Sequence, residues 1–223
     1  IEQNEFEAKN GMAWRVSDLT RDEALLVPRQ DNRPVYGGTP SDASVVMAIR
    51  RMAEQGMEVL YYPFILMDQM ADNGRPNPWT GEADQPALPW RGRITLDVAP
   101  GRDGSSDGSA AAAAEVAAFI GTASAADFTV GDGTVSYSGP DEWSYRRFIL
   151  HQAALCAATG GVEAFCIGSE MRALTQIRSD AGFPAVDALR ALAAECRALL
   201  GPDVKLSYAA DWSEYFGYHP QDG

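Results

Sequence analysis

The sequence predicts an α/β fold built on a parallel β-sheet, and two observations lead to this class. Helical segments with apolar periodicity alternate with short apolar segments, in the order helix then strand, three times along the chain. The apolar segments run almost without interruption, as strands do when both of their faces are buried. This alternation is typical of parallel sheets that are wound in one hand from βα units.

Capping residues and apolar periodicity predict four helices. Ser41 or Asp42 caps the first helix, Gly56 follows its end, and Pro184 stands in the first turn of the last helix. The predicted helices span residues 41–56, 109–119, 141–161 and 184–201.

Apolar runs predict three strands, over residues 58–68, 162–170 and 204–211. Pro63 interrupts the first run, so we expect a bulge or bend there. Two further segments are predicted to be insertions: a long loop over residues 69–108, rich in Pro, Gly, Asn and Asp, and a small β-hairpin over residues 127–139. A loop of this length inside a compact domain is usually functional or an interaction surface.

The composition excludes some classes of partner. The chain has 223 residues, of which 46% are hydrophobic and 22% are charged, as in ordinary globular proteins. Its formal net charge of -13 repels phosphate backbones, so nucleic acid is not expected as a direct partner. No run of roughly 18 apolar residues occurs, so no membrane span is predicted.

The cysteines and histidines give no sign of metal chemistry. Cys156, Cys166 and Cys196 lie among apolar neighbours, and their odd number without a C-x-x-C pair predicts reduced core thiols. His151 and His219 lack metal-ligand spacing, and a lone helical His is more often a core or surface residue than a catalytic one. No nucleophile elbow or phosphate-binding loop occurs, so neither a metal nor a cofactor is predicted.

An acidic residue ends each of the three predicted strands: Asp68, Glu170 and Asp211. In parallel α/β folds the carboxyl ends of the strands meet in one cleft, so these acids are candidates for one site. Charge repulsion and burial in such a cleft would favour a protonated carboxyl beside an ionised one, as acid catalysis requires. The alternative is that each acid merely caps a helix, and Glu170 does precede a plausible helical turn.

Aromatic residues cluster in or near the predicted carboxyl-end loops. Trp79 and Trp90 lie in the long loop and Trp212 follows the last strand. Flat aromatic faces pack against pyranose rings, so these residues are candidates for sugar binding. One of Tyr61 and Tyr62 must point inward from its strand and is expected to be a core residue instead.

Several long motifs resemble one protein family. They are YGGTPSDASVVMAI, YYPFILMD, LPWRGRITLDVAPGRDGS, FCIGSEMRALT and SYAADWSEYFGYHPQDG. Together they resemble the TIM-barrel-like, glycoside-hydrolase-like domain of the large tail protein of gene transfer agents, which are phage-like particles of alphaproteobacteria. The resemblance runs over nearly the whole chain.

The resemblance implies a (β/α)8 TIM barrel of which residues 1–223 would be an incomplete segment, cut at both ends from a larger protein. It also implies a component of the particle tail, made in the bacterial cytoplasm and released on lysis. Other tail or baseplate proteins and cell-surface polysaccharide are the partners expected from it. A homotrimeric parent protein is expected because tail tips commonly have three-fold symmetry.

A more distant resemblance concerns Glu170. Retaining glycosidases of the large TIM-barrel clan place their acid/base Glu at the end of strand four, usually after an Asn that holds the 2-hydroxyl of the substrate. Gly168-Ser169-Glu170 and the segment Tyr208-Ala209-Ala210-Asp211-Trp212 resemble endo-mannanase-like members of that clan, with Ser169 in the place of the Asn. By this resemblance Glu170 is the catalytic candidate, and the substrate-binding candidates are Asp68, Ser169, Asp211, Trp212, Trp79 and Trp90.

Two functions are compatible with these observations. The first is an enzyme that hydrolyses envelope polysaccharide of the recipient cell with Glu170 as acid/base. The second is a catalytically inactive barrel that holds its neighbours in the tail or binds glycans without cutting them, since a fold does not determine a function. If the long loop covers the carboxyl end of the strands, Trp79 or Trp90 is expected to approach Glu170.

Overall fold

The computed structural model describes residues 29–30, 33–34, 42–65, 67 and 71–215. Asp68, His219 and the candidate cap Ser41, which were singled out from the sequence, lie outside the described residues. The described helices are α1 (Asp42–Glu54), α2 (Ala110–Ile120), α3 (Tyr145–Ala158), α4 (Arg172–Thr175) and α5 (Pro184–Leu200). The described strands are β1 (Arg29–Gln30), β2 (Arg33–Pro34), β3 (Leu60–Tyr61), β4 (Phe128–Val130), β5 (Val135–Tyr137), β6 (Ala164–Ser169) and β7 (Lys205–Ala209).

A parallel sheet is present, as the sequence predicts. Strand β6 lies between β3 and β7, and it pairs in parallel with β3 through Leu60↔Ala164 and Tyr61↔Phe165. Buried side chains from Phe165 to Ser169 fit the central position of β6. The fold is therefore mixed α/β with a parallel sheet, and the described strands do not close into a barrel.

The first predicted strand is much shorter than expected. A strand over residues 58–68 with both faces buried was predicted, but β3 covers only Leu60–Tyr61, and Leu60 is 59% exposed. Pro63 explains the early end, because proline has no N–H to donate to a neighbouring strand. The position of β3 at an edge of the described sheet explains the exposure of Leu60.

The four helices predicted from the sequence are confirmed, with one boundary that was wrong. The third helix was expected to start near Asp141, but α3 begins at Tyr145. Ser144 is its N-cap, and its hydroxyl accepts the backbone N–H of Arg147 at 3.2 Å. A Ser hydroxyl satisfies an otherwise unpaired N–H of the first turn, so it fixes the start of the helix.

Two smaller elements lie where insertions were predicted. Strands β4 and β5 pair antiparallel, with Val130 opposite Val135 around the Gly-Asp-Gly turn. In the long loop, residues Arg91–Arg93 form a 3-10 helix that contacts α4. The loop is further tied to the segment after α4, because Asp107 accepts hydrogen bonds from the backbone and guanidinium of Arg178.

Contacts divide the chain into two compact units. The first contains the described part of Ile1–Pro63, with Ile120–Ile167 and Ala191–Ser207, and its core is built around α3. Within it Tyr61 stacks on Phe165 with ring centroids 6.0 Å apart and donates to Oε1 of Gln152 at 2.6 Å, so Tyr61 is the inward-pointing tyrosine. The second unit consists of the described residues of Phe64–Phe119, Gly168–Arg190 and Tyr208–Gly223.

The cysteines and His151 are core residues of the first unit. Cys156, Cys166 and Cys196 are free and buried, which confirms the predicted reduced thiols. His151 is 1% exposed, and its Nε2 lies 3.0 Å from Oδ2 of Asp42. The core interpretation of His151 is therefore confirmed.

Candidate functional site

Glu170 follows the last residue of β6 and adopts a backbone conformation that is unusual for its type. Its φ is 50°, in the left-handed region, where a residue other than glycine costs about 1–3 kcal/mol. Its backbone N–H continues the sheet by donating to the carbonyl of Ala209 at 2.9 Å. Such strain is found at functional sites more often than elsewhere, and here it turns the side chain away from the regular strand direction.

The carboxylate of Glu170 does not cap helix α4. The N-cap of that helix is Met171, which makes no side-chain capping bond. Instead, Oε2 of Glu170 accepts the indole N–H of Trp90 at 2.9 Å and lies 2.6 Å from Nη2 of Arg91. Within the part of the chain that the structure describes, Oε1 accepts no hydrogen bond. The capping alternative for Glu170 is therefore set aside.

Arg91 contacts both Glu170 and the preceding residue, Ser169. Ser169 is 3% exposed, and its hydroxyl oxygen accepts hydrogen bonds from Nε of Arg91 at 3.3 Å and from Nη2 at 3.1 Å. The guanidinium also lies over the ring of Phe64, 4.8 Å from its centroid. These contacts hold the cation at the end of β6, with its side chain only 14% exposed.

Trp90 reaches Glu170 because the loop folds tightly at the next residues. The 3-10 helix Arg91–Arg93 begins directly after Trp90, and the N–H of Arg93 donates to the carbonyl of Trp90 at 3.0 Å. The Trp90 ring folds back over Gly92, where a Cβ would overlap its six-membered ring. The side chain stays 40% exposed, so one end of the indole is bonded while part of the ring faces solvent. The expectation that a loop tryptophan approaches Glu170 is confirmed for Trp90.

Trp79, the other tryptophan of the long loop, contacts the last residue of the same 3-10 helix. Trp79 donates its indole N–H to the carbonyl of Arg93 at 3.0 Å, and the Arg93 guanidinium lies 5.6 Å from the Trp79 ring centroid. Trp79 is 36% exposed. Its indole hydrogen bond goes to Arg93 and not to Glu170, so Trp79 does not hold the carboxylate through its N–H.

Asp211 has a capping role in the structure. It is the N-cap of the 3-10 helix Trp212–Glu214, and its carboxylate accepts the hydroxyl and the backbone N–H of Ser213. These bonds, first the one from the hydroxyl, lower the pKa of Asp211. Trp212 and Tyr215 are 74% and 79% exposed beside it. Asp211 follows β7 as Glu170 follows the neighbouring β6, and Asp68 lies outside the described residues, so the common site of these three acids stays a prediction.

Two further residues complete the site, and neither was a site candidate from the sequence. Arg91 was not singled out, although it lies in the motif LPWRGRITLDVAPGRDGS. Tyr208 supports the backbone after Glu170, because its hydroxyl accepts the N–H of Met171 at 2.8 Å and donates to Glu214 at 2.9 Å. The pairing of positions 91 and 170 joins residues far apart in the sequence, and only the fold could have revealed it.

Among the described residues, no group of three or more His, Cys, Asp or Glu side chains could hold a metal ion. Of the helices described, none has the length and apolarity needed to cross a membrane.

The described strands and helices make the chain a mixed α/β protein with a parallel sheet. Residues 143–223 match the model of one family, the GTA TIM-barrel-like domain. Over these residues the resemblance to the TIM-barrel-like domain of gene transfer agents is confirmed, and the match includes β6, Glu170 and β7. A comparison with curated proteins gave no match.

Proposed function

We propose that this chain forms part of a (β/α)8 barrel in a gene transfer agent tail protein and hydrolyses polysaccharide of the recipient cell envelope. The observation that carries the proposal is the position of Glu170. Its carboxylate stands at the carboxyl end of a parallel strand, in a strained conformation, with the half-exposed ring of Trp90 bonded to it. Carboxylates and aromatic faces are the two kinds of group that glycosidases use on sugars.

The proposed reaction gives Glu170 two successive roles. As a general acid it donates a proton to the glycosidic oxygen, and as a general base it then accepts a proton from the water that releases the product. The atom available for both steps is Oε1, because Oε2 is occupied by Trp90 and Arg91. A retaining mechanism also needs a nucleophilic carboxylate about 5 Å away, and we assign this role to no described residue.

The proposal includes a place for the protein in the particle. It is a component of the tail tip or baseplate, contacts other tail proteins there, and acts at the recipient surface. The parent protein is proposed to be a homotrimer. Antibody labelling of intact particles in electron micrographs tests the location, and mass measurement of the purified full-length protein tests the trimer.

The activity is tested with the full-length protein and purified envelope polysaccharide, by measuring new reducing ends. Wild-type protein is expected to release them, and Glu170→Gln is expected to lose this activity because an amide cannot donate or accept the proton. Glu54→Gln is the matched control, since Glu54 is exposed and pairs with the neighbouring Arg51 on α1. Equal rates for wild type and Glu170→Gln would exclude Glu170 as the acid/base.

A second candidate function is glycan binding without hydrolysis. It is favoured by one observation: both partners of Oε2 are donors that serve an ionised carboxylate, whereas a general acid must carry a proton. Under this alternative the full-length protein binds envelope polysaccharide and produces no reducing ends. Such a result would replace the enzymatic proposal with the binding one.

A further inference from the structure

The hydrogen bonds of the Arg91 guanidinium lie on the edge formed by Nε and Nη2, and 14% of the side chain is exposed. Nε and Nη2 donate to the buried hydroxyl of Ser169, and Nη2 also pairs with Glu170. Nη1 makes no hydrogen bond within the described residues. The bonds to Ser169 and Glu170 orient the planar guanidinium, with the ring centroid of Phe64 4.8 Å from its Cζ, and thereby set the direction of the Nη1 donors.

We infer that Arg91 is the recognition group for a carboxylate-bearing saccharide, whose carboxylate takes the place of Glu170 on the guanidinium. The inference rests on the proposed function in one respect, that the site contacts carbohydrate, and it adds the substrate class. Arg91 binds an incoming carboxylate through Nη1 and Nη2, in the forked geometry that guanidinium and carboxylate groups share. Ser169 keeps its bond to Nε, so the cation stays in place during the exchange.

The charge of Glu170 explains why a carboxylate, and not a neutral hydroxyl, is the expected ligand of Arg91. The bond between Arg91 and Glu170 is 2.6 Å long and joins two ions, and hydrogen bonds of this kind are roughly twice as strong as neutral ones. A neutral sugar hydroxyl that displaced Glu170 would exchange a strong bond for a weak one. A sugar carboxylate replaces it with a bond of the same kind, and the exchange leaves Glu170 with Trp90 as its partner.

Local charge distribution around the site agrees with an acidic ligand. The whole chain carries a formal net charge of -13, which on its own opposes the approach of anions. Arg91 and Arg93 lie on the same 3-10 helix, and that helix contacts α4, which begins at Arg172. Both Arg93 and Arg172 are exposed. These two contacting elements therefore carry three arginines and no acidic residue.

The inference is tested by calorimetric binding of trigalacturonate and of its methyl ester to the full-length protein. The ester has the same sugar rings without the charges. We expect the wild-type protein to bind the acid about tenfold more tightly than the ester. Arg91→Met is expected to lose this preference, whereas Arg51→Met, which removes an exposed cation from α1, keeps it.

Glu170→Gln gives the sharpest test, because competition between the ligand and Glu170 predicts tighter binding by this variant. If the ligand carboxylate competes with Glu170 for Arg91, the variant binds trigalacturonate more tightly than wild type, by about tenfold. Weaker binding by this variant, or equal binding of acid and ester by wild type, would overturn the inference. Arg91→Lys guards against misfolding of the methionine variant, since it keeps the cation and is expected to retain part of the preference.

The outcome also separates this inference from the proposed hydrolysis. A protein that prefers the acid to the ester and releases no reducing ends contradicts the enzymatic proposal and leaves the charge recognition standing. A protein that hydrolyses envelope polysaccharide but binds acid and ester equally contradicts only the role given to Arg91.

Discussion

The indole Nε1 of Trp90 donates to Oε2 of Glu170 at 2.9 Å, a contact between residues 80 positions apart in the sequence. Arg91, the next residue, pairs with the same oxygen. Two adjacent residues of one loop thus hold the candidate catalytic carboxylate, and the loop is part of the site.

Trp90→Phe separates the two roles of this tryptophan. The phenyl ring retains an aromatic face for a sugar but has no N–H for Glu170. If Glu170 is catalytic, kcat is expected to fall about tenfold, because hydrogen bonds to charged groups are worth roughly 1.5–3 kcal/mol, while KM changes little. Trp90→Ala removes the face too and is expected to raise KM. An unchanged kcat in Trp90→Phe contradicts the positioning role.

Gly92→Ala is expected to displace the Trp90 ring without unfolding the protein. The added Cβ overlaps that ring, whereas the φ of Gly92 lies outside the left-handed region, so the backbone itself accepts alanine. The NMR resonance of the Trp90 indole N–H should shift toward the position of a solvent-exposed indole. In a Trp90→Ala background the same substitution should have no further effect on activity, and an additional loss there would mean that Gly92 acts by another route.

Local sequence signals predicted the helices well. Capping residues mark α1, and apolar periodicity between Pro184 and Gly201 marks α5, so neither depends on distant contacts. The apolar run over residues 58–68 was misleading, because hydrophobicity alone does not reveal an edge position or the effect of Pro63 on pairing. The length of a strand and its place at the edge or the centre of a sheet depend on its position in the folded protein.

The candidate site was predictable only in part. Glu170 stood out because an apolar strand ends at a carboxylate, but its left-handed φ and its pairing with Arg91 depend on contacts across the fold. Asp211 gave the same sequence signal, and after β7 its carboxylate also caps a 3-10 helix. A strand-end acid and a capping acid look alike in sequence, because both stand where an apolar segment gives way to a loop.

Asp107→Asn is expected to lower the free energy of unfolding by about 1–3 kcal/mol. The Asp107 side chain is 6% exposed, and its carboxylate accepts three hydrogen bonds from Arg178, at 2.7, 3.0 and 2.8 Å. The amide cannot neutralise the guanidinium. Asp187→Asn is the matched control, because Asp187 pairs with Arg190 on the exposed face of α5, where ion pairs contribute about 0–1 kcal/mol. Urea denaturation measures both, and equal losses would show that the Asp107 pair does not anchor the loop.

Alkaline pH is expected to destabilise the protein through its buried thiols. Burial raises the pKa of Cys196 to about 12, with Glu195 adding to the shift and Arg146 opposing it. A thiol in the unfolded chain titrates near pH 8.5, so above that pH the unfolded state loses a proton that the folded state keeps. The stabilisation is therefore complete below about pH 8.5 and is lost as the pH rises toward 12.

Cys196→Ala removes this contribution and should flatten the dependence of unfolding free energy on pH above roughly pH 9. The expected difference in slope is at most about 1.4 kcal/mol per pH unit, the value for one proton. Slopes are compared rather than absolute stabilities, because the substitution also leaves a small cavity in the core. Val204→Ala, which truncates another buried side chain without a titrating group, is the control for that cavity. Denaturant titrations from pH 7 to pH 10 measure the slopes, and a Cys196→Ala slope as steep as wild type would mean that this thiol does not set the alkaline limit.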